Sequence, residues 1–212
     1  MTIYGIVAGG PEVLLPDLTQ ETIDIWIGCD RGCHYILKAH LALDLAIGDF
    51  DSVSEDILEE IKQEAKSVIV YPSDKDDSDL ELAIKAVDLK AGDQMVFYGV
   101  TGGRLDHAWV NVGLLKRLAM QGFQVKMVDA HHKVSFYLPG HYTLYRQSED
   151  YLSLLPLTAK VTGVSLTGFK YPLKHAVLTE GSSLSLSNQL IEPYGSISFQ
   201  SGILMVISAK EL

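Results

Sequence analysis

The sequence predicts an N-terminal α/β unit, a doubly wound and mostly parallel sheet with helices on both faces, followed by a C-terminal all-β sandwich. Three observations predict it. Strand-like and helix-like segments alternate over the first 129 residues. Helical periodicity then stops, and short alternating runs punctuated by Gly and Pro take over. The charge divides at the same place. Residues 1–129 hold 11 Lys/Arg and 22 Asp/Glu, a balance of −11, whereas residues 130–212 hold 6 and 5, a balance of +1. Domains of 1–129 and 130–212 are therefore expected.

Six apolar runs in the first part are short and nearly unbroken: Ile3–Ala8, Ile23–Cys29, Leu43–Ile47, Val68–Tyr71, Met95–Tyr98 and Val125–Val128. Strands buried on both faces of a parallel sheet read this way. Between them lie helical patterns. Ser52 and Glu55 have capping-box spacing ahead of Ile57, Leu58, Ile61 and Ala65. Ser78 and Glu81 repeat that spacing ahead of Ala83, Ile84 and Val87. A third helix, Asp106 to Gln121, carries Val110, Leu114, Leu115 and Leu118, and Gly122 can end it. In the second part Tyr142–Tyr145, Tyr151–Leu155, Ser183–Ser187 and Ile203–Ser208 read as strands. Turns are expected near Gly140, Gly163, Gly168, Gly181, Gly195 and Gly202.

Composition excludes several classes. The chain has 212 residues, a formal charge of −10 and an apolar fraction of 47%. A core of useful size is within reach, so folding needs neither disulfide nor structural metal. Phosphates of nucleic acid and anionic membrane surfaces would be repelled. No apolar run approaches the roughly 18 residues of a transmembrane helix, and the first residues do not resemble a secretory signal. Cys29 and Cys33, spaced C-x3-C, fit neither a redox pair nor a zinc site and are read as packed residues of a strand end and the next helix. A reducing, cytoplasmic location is expected.

Ligands of doubly wound sheets bind at the carboxyl ends of the strands. The unusual residues cluster there: Gly9 and Gly10 after the first strand, Asp30, Arg31 and Gly32 after the second, Asp49 and Asp51 after the third. Asp74, Lys75, Asp76, Asp77 and Asp79 follow the fourth, and Gly102, Gly103, Arg104, Asp106 and His107 follow the fifth. Two carboxylates at i and i+2 repel unless a cation or donors separate them. Hard oxygen ligands in small number suit Mg²⁺ shared with substrate phosphates. The plainer reading of Asp49 and Asp51 is a pair of solvated helix-start acids. Four Asp between 74 and 79 exceed what capping needs and suggest a further contribution to a divalent ion, with Asp77 read as solvated. Gly102 and Gly103 allow close approach of an anion to a helix N-terminus, and Arg104 offers a bidentate fork. Its alternative is a tight turn with Arg104 paired to an Asp. Asp106 and His107 can orient this loop, while His131 and His132 lack metal-ligand spacing and are read as surface. Neither a P-loop nor a G-x-G-x-x-G signature is present.

Four motifs in this order resemble the thiamine pyrophosphokinase family: Asp30–Gly32, Gly48–Ser52, Lys75–Asp79 and Gly102–His107. Gly168–Leu173 and Ser187–Gln189 are similar to its thiamine-side segments, so the resemblance covers nearly the whole chain. It differs in Ser78, where the family usually has Thr, and in Gln189, where it often has Glu. Arg31 looks like a bacterial variant. The resemblance implies an ATP-binding catalytic domain, a thiamine-binding β domain, and a homodimer with active sites between subunits. The implied reaction takes ATP and thiamine to AMP and thiamine diphosphate with Mg²⁺. Asp49, Asp51, Asp76 and Asp79 are then expected to hold metal, with Asp76 the first choice for the hydroxyl proton. Arg104 would stabilise transition-state charge. Gly9, Gly10, Asp30, Arg31, Gly32, Lys75, Gly102, Gly103, Arg104, Asp106 and His107 would contact ATP. Lys75 would bridge to a phosphate or pin its loop. Asp76, Tyr171, Ser187, Asn188 and Gln189 would contact thiamine. Two alternatives stay open: a pyrophosphokinase for another hydroxymethyl heterocycle such as a pterin, and a non-catalytic nucleotide-binding module.

Overall fold

An unbroken apolar run leaves a strand no polar face, so it must be covered on both sides. In the computed structural model, which describes residues 1–146 and 151–211, the six runs of the first part form the strands of one sheet. These are β1 (Ile3–Val7), β2 (Ile25–Cys29), β3 (Leu45–Gly48), β4 (Val68–Val70), β5 (Gln94–Tyr98) and β6 (Gln124–Val128). They lie in the order β4-β3-β2-β1-β5-β6, and every neighbouring pair is parallel. Ile6, Val7, Ile27, Ile47, Phe97 and Tyr98 are buried. The chain winds outward from β1 to β4 and resumes on the other side of β1 with β5, so the strand order reverses between β1 and β5. This part belongs to one compact unit, Met1–Ala130; the second is His131–Leu212.

Four helices connect the parallel strands: α1 (Arg31–Lys38), α2 (Glu55–Glu64), α3 (Asp79–Lys85) and α4 (Leu105–Met120). The cap of α2 differs from the expected capping box. Ser54 rather than Ser52 accepts a hydrogen bond from the Ile57 N–H, at 3.5 Å. Ser52 lies in a turn that begins at Phe50, whose φ is +59°, and that closes with Val53 N–H donating to the Phe50 carbonyl. Glu55 is then the first helical residue, favoured there by the helix dipole. Ser78 does cap α3, accepting from the Glu81 N–H at 3.3 Å. Glu81 does not reach back to close a box; its carboxylate pairs with Arg117. Gly122, at φ +92°, follows the end of α4. Cys29 and Cys33 are free and buried, as expected of packed thiols. Burial pushes both thiols up, Cys33 to about 12.

The second unit contains β7 (His132–Tyr137), β8 (Gly140–Tyr145), β9 (Tyr151–Pro156), β10 (Lys160–Thr167), β11 (Leu173–Thr179), β12 (Tyr194–Phe199) and β13 (Leu204–Ala209). β7, β13 and β9 form one antiparallel ribbon, and β11, β10, β12 and β8 form a second antiparallel sheet. Leu154, Leu204 and Val206 of the first meet Val161, Val164, Leu166, Ile197 and Phe199 of the second in one core, which makes this unit a sandwich. Ser183–Ser187, expected as a strand, is instead a turn. Ser185 points inward, 2% exposed, and its hydroxyl donates to the Leu154 carbonyl at 2.6 Å. Leu184 and Leu186 face out. A buried hydroxyl with a backbone partner inverts the facing that apolar alternation implied. Among the described residues, no helix is long and apolar enough to cross a membrane.

Candidate active site

Strand order reverses between β1 and β5, and doubly wound sheets bind ligands at the carboxyl ends of the strands at such a point. The two glycine turns meet there. Gly10 N–H donates to the Gly99 carbonyl at 2.9 Å. A Cβ on Gly10 would stand 2.4 Å from that oxygen, so only glycine lets the turns close. Side chains pin both loops. Tyr35 of α1 donates its hydroxyl to the Gly10 carbonyl at 3.1 Å. Asn111 donates to the Val100 carbonyl at 3.0 Å, and Thr101 Oγ1 to Asp129 at 2.8 Å. Gly102 and Gly103 stay exposed just ahead of α4.

The acidic residues meet one cation. Lys75 Nζ stands 3.0 Å from Asp49 Oδ2 and 2.9 Å from Asp79 Oδ1, and all three side chains are less than a quarter exposed. Partial burial works against ionisation of Asp49, but Lys75 and the Asp51 N–H outweigh it and hold the carboxyl below its ordinary range. Burial opposes the charge of Lys75 too, and the two carboxylates overcome it. Asp30 behaves oppositely. Burial raises its carboxyl to about 7; a hydrogen bond from the Phe50 N–H opposes the shift, and the facing Asp79 carboxylate adds to it. That hydrogen bond, 2.9 Å to Asp30 Oδ1, joins the turns after β2 and β3. A Cβ on Gly48 would lie 1.9 Å from the same oxygen.

These donors fit a divalent ion. Asp79 Oδ1 is buried, and its close contact is the ion pair with Lys75 at 2.9 Å. Among the described residues no three His, Cys, Asp or Glu side chains form a ligand cage. Two hard carboxylates suit Mg²⁺, which keeps several waters and takes other oxygens from phosphates.

The other expected residues are spread more widely. Asp51 and Asp76 are exposed and do not join the bridge; Asp51 contributes its N–H to Asp49 Oδ1 at 3.2 Å. Asp77, read as solvated, pairs with Lys85 at 2.7 Å. Arg31 reaches the Ser52 carbonyl at 3.3 Å, and Gly32 is buried inside α1. Arg104 grips Asp106 through Nε and Nη2, at 3.1 and 2.6 Å, with both side chains mostly exposed. This fork holds the Asp106 carboxyl down at about 2. His107 is exposed and donates its backbone N–H to Asp106.

In the second unit Asn188 is 1% exposed. Its Oδ1 accepts from the N–H groups of Tyr171 and Gln189, at 3.0 and 2.9 Å, and its Nδ2 donates to the Tyr171 carbonyl at 2.8 Å. Its amide is thus engaged with backbone rather than open to a ligand. It presents Tyr171, half-exposed, and Gln189, whose side-chain Oε1 accepts from Lys170 Nζ at 3.3 Å. Ser187 adopts φ +53° and is exposed.

Comparison with known proteins shows the family. Residues 17–127 match the thiamin pyrophosphokinase catalytic domain and residues 141–204 its vitamin B1 binding domain. The thiamine pyrophosphokinase of Bacillus subtilis is 37% identical over the whole of both chains. The chain belongs to the thiamin pyrophosphokinase family. The crystal structure of a Bacillus subtilis thiamine pyrophosphokinase superposes with a TM-score of 0.93, 36% identity, and coverage of 99% of this chain and 100% of that one. That from Geobacillus thermodenitrificans gives 0.88 at 39% identity, covering 99% and 98%.

Within this family member, sequence reasoning missed Tyr35, Thr101 and Asn111 as loop anchors. Their partners lie 11 to 28 residues away, and none carries a local signal except Tyr35, a polar-tipped aromatic in the helix after the Asp30 motif.

Replacing Asn188 by Ala strips three buried hydrogen bonds and should destabilise the protein by about 2–3 kcal/mol. Urea denaturation of the variant checks this, and an unchanged midpoint would remove Asn188 from its supporting role. Asp30 gives a pH signature. Its folded value, about 7, lies above the unfolded value of about 3.9, so the folded state binds the extra proton. Its stabilising share is complete below pH ~4 and is lost as pH rises through about 7. Relative to Asp30→Asn, the metal-free wild type should lose melting temperature between those pH values and stay level above. Parallel curves would contradict it.

Proposed function

We propose that the chain transfers the pyrophosphoryl group of Mg-ATP to the hydroxyl of thiamine, giving thiamine diphosphate and AMP. The observation that carries this reading is the Asp49–Lys75–Asp79 bridge at the strand ends of a chain that also pins two glycine turns at the sheet's switch point. In the proposed reaction the thiamine hydroxyl oxygen bonds to the β-phosphorus as the bond from that phosphorus to the α,β-bridging oxygen breaks. AMP leaves with the bridging oxygen, and the hydroxyl proton passes to Asp76. The exposed Asp76 is free of the Lys75 bridge, which favours it over Asp49 and Asp79 as acceptor.

The backbone N–H groups of Gly9, Gly10, Gly102 and Gly103 serve the phosphates. Asp49 and Asp79, aided by Asp51 and Asp76, hold Mg²⁺. Bound Mg²⁺ neutralises and orients the phosphate chain. Arg104 exchanges Asp106 for a phosphate oxygen. The exchange costs little because an exposed ion pair is worth only about 0–1 kcal/mol. Residues 1–129 form the ATP-binding catalytic domain, and their charge of −11 favours the thiazolium cation. Residues 130–212 bind thiamine through Tyr171, Ser187 and Gln189, with Asn188 holding the backbone of Tyr171 and Gln189.

A homodimer with active sites at the subunit interface completes the proposal. The first half of α4 supports it, since Leu105, Trp109 and Val110 are each more than 60% exposed there. Buried, unbridged Cys29 and Cys33 support a cytoplasmic location.

Incubation with Mg-ATP and either thiamine or a hydroxymethylpterin, followed by AMP release, tests the reading. AMP should appear with thiamine alone. Turnover of the pterin alone would reassign the substrate, and tight ATP binding without AMP from either would make the chain a binding module. Arg104→Ala should raise the barrier by about 2–4 kcal/mol, as loss of a transition-state donor does. A rate loss under tenfold would leave Arg104 a structural partner of Asp106.

A further inference from the structure

Cation coordination by a carboxylate and ion pairing by an ammonium compete for the same lone pairs. Lys75 Nζ already stands within 3.0 Å of both Asp49 and Asp79, with its side chain only 13% exposed. The neighbouring cations have other partners: Arg31 reaches the Ser52 carbonyl and Lys85 reaches Asp77. Asp79 Oδ1 is buried and meets Lys75 as an ion pair at 2.9 Å.

We propose that Lys75 is the resident counter-cation of the Asp49–Asp79 pair and the link that couples divalent-ion binding to nucleotide binding. This deepens the Mg-ATP reading and rests on it. In the nucleotide-free protein a divalent ion must displace an ammonium already paired with both carboxylates. When ATP arrives with the ion, the carboxylates receive the ion and the ammonium receives a phosphate oxygen. Both exchanges then conserve charge pairing at a partly buried site, where an unpaired charge is costly. Ion and nucleotide therefore favour each other, and the protein holds little divalent ion without nucleotide. Lys75 is thus an antagonist of the bare ion and a partner of the ion–nucleotide complex.

The test measures binding rather than turnover. Mn²⁺ is titrated by electron paramagnetic resonance into nucleotide-free wild type and Lys75→Met, and the manganese complex of a non-hydrolysable ATP analogue is titrated into both by calorimetry. Removing one ammonium from two partly buried pairs should tighten binding of Mn²⁺ alone about tenfold and weaken binding of the complex by about the same factor. Lys75→Arg, which keeps the charge, should stay close to wild type in both. Circular dichroism controls for folding, and Lys75→Gln replaces the Met variant if that one does not fold. Unchanged or weaker binding of Mn²⁺ alone by the folded variant overturns the proposal, because a pure phosphate ligand or a loop pin predicts that result. Failure of the Mg-ATP reading looks different: wild type would neither bind the nucleotide complex nor release AMP with thiamine, whatever the Mn²⁺ titration gives.

Discussion

The hydrogen bond from the Phe50 N–H to Asp30 Oδ1, 2.9 Å long, couples two strand-end turns whose geometry is otherwise unfavourable. Asp30 and Phe50 both adopt left-handed φ, +47° and +59°, and such residues cost about 1–3 kcal/mol each. The bond offsets part of that cost. It also leaves no room for a side chain at Gly48. Asp49 lies between Gly48 and Phe50, so its position beside Lys75 follows from a turn that Asp30 holds from the neighbouring strand. Asp30 therefore supports the acidic site through the backbone.

The carboxyl edge of a parallel sheet is where helices begin, and helix N-termini tolerate negative charge. Asp30 precedes α1, and Asp79 is the first residue of α3. Dipoles alone do not separate the acids, and their surroundings drive them to opposite protonation states. Asp49 is held ionised by Lys75, whereas Asp30, buried and facing Asp79, holds a proton up to about neutral pH. Neighbouring titratable groups pushed apart in this way take different roles. An ionised carboxylate suits cation binding, and a protonated one can sit beside Asp79 without adding to the repulsion.

Much of the fold was legible because burial on both faces writes itself into composition. The six parallel strands lie within two residues of the apolar runs that predicted them. The β sandwich was legible as a class but not strand by strand. β10 breaks its own alternation at Gly163, where pairing with β11 shifts register between Val161 and Val164. Ser183–Ser187 misled because a buried hydroxyl can replace a buried leucine when a backbone acceptor waits for it. The acidic motifs could be placed at the strand ends from sequence. Which acid faces the cation could not, because Asp49 and Asp51 differ only by the twist that the left-handed Phe50 puts between them. Asn188 looked like a ligand because a Ser-Asn pair carries no sign of burial. Its Tyr171 partner lies 17 residues away.

The charge of −10 looks ill suited to a polyanionic substrate, yet the structure pairs Lys75 and Arg104, the cations proposed to meet phosphate, with its own carboxylates. The two pairs differ in burial. The Arg104–Asp106 fork is mostly exposed, so solvent screens it and exchange of Asp106 for a phosphate is nearly neutral. The Lys75 bridge is mostly covered, so its ammonium cannot leave Asp49 and Asp79 without a replacement cation. A phosphate chain alone satisfies the first pair and strands the carboxylates of the second. A phosphate chain with a divalent ion satisfies both. Under the proposed reaction, burial at one residue thus sets the ionic form of substrate that an acidic protein accepts.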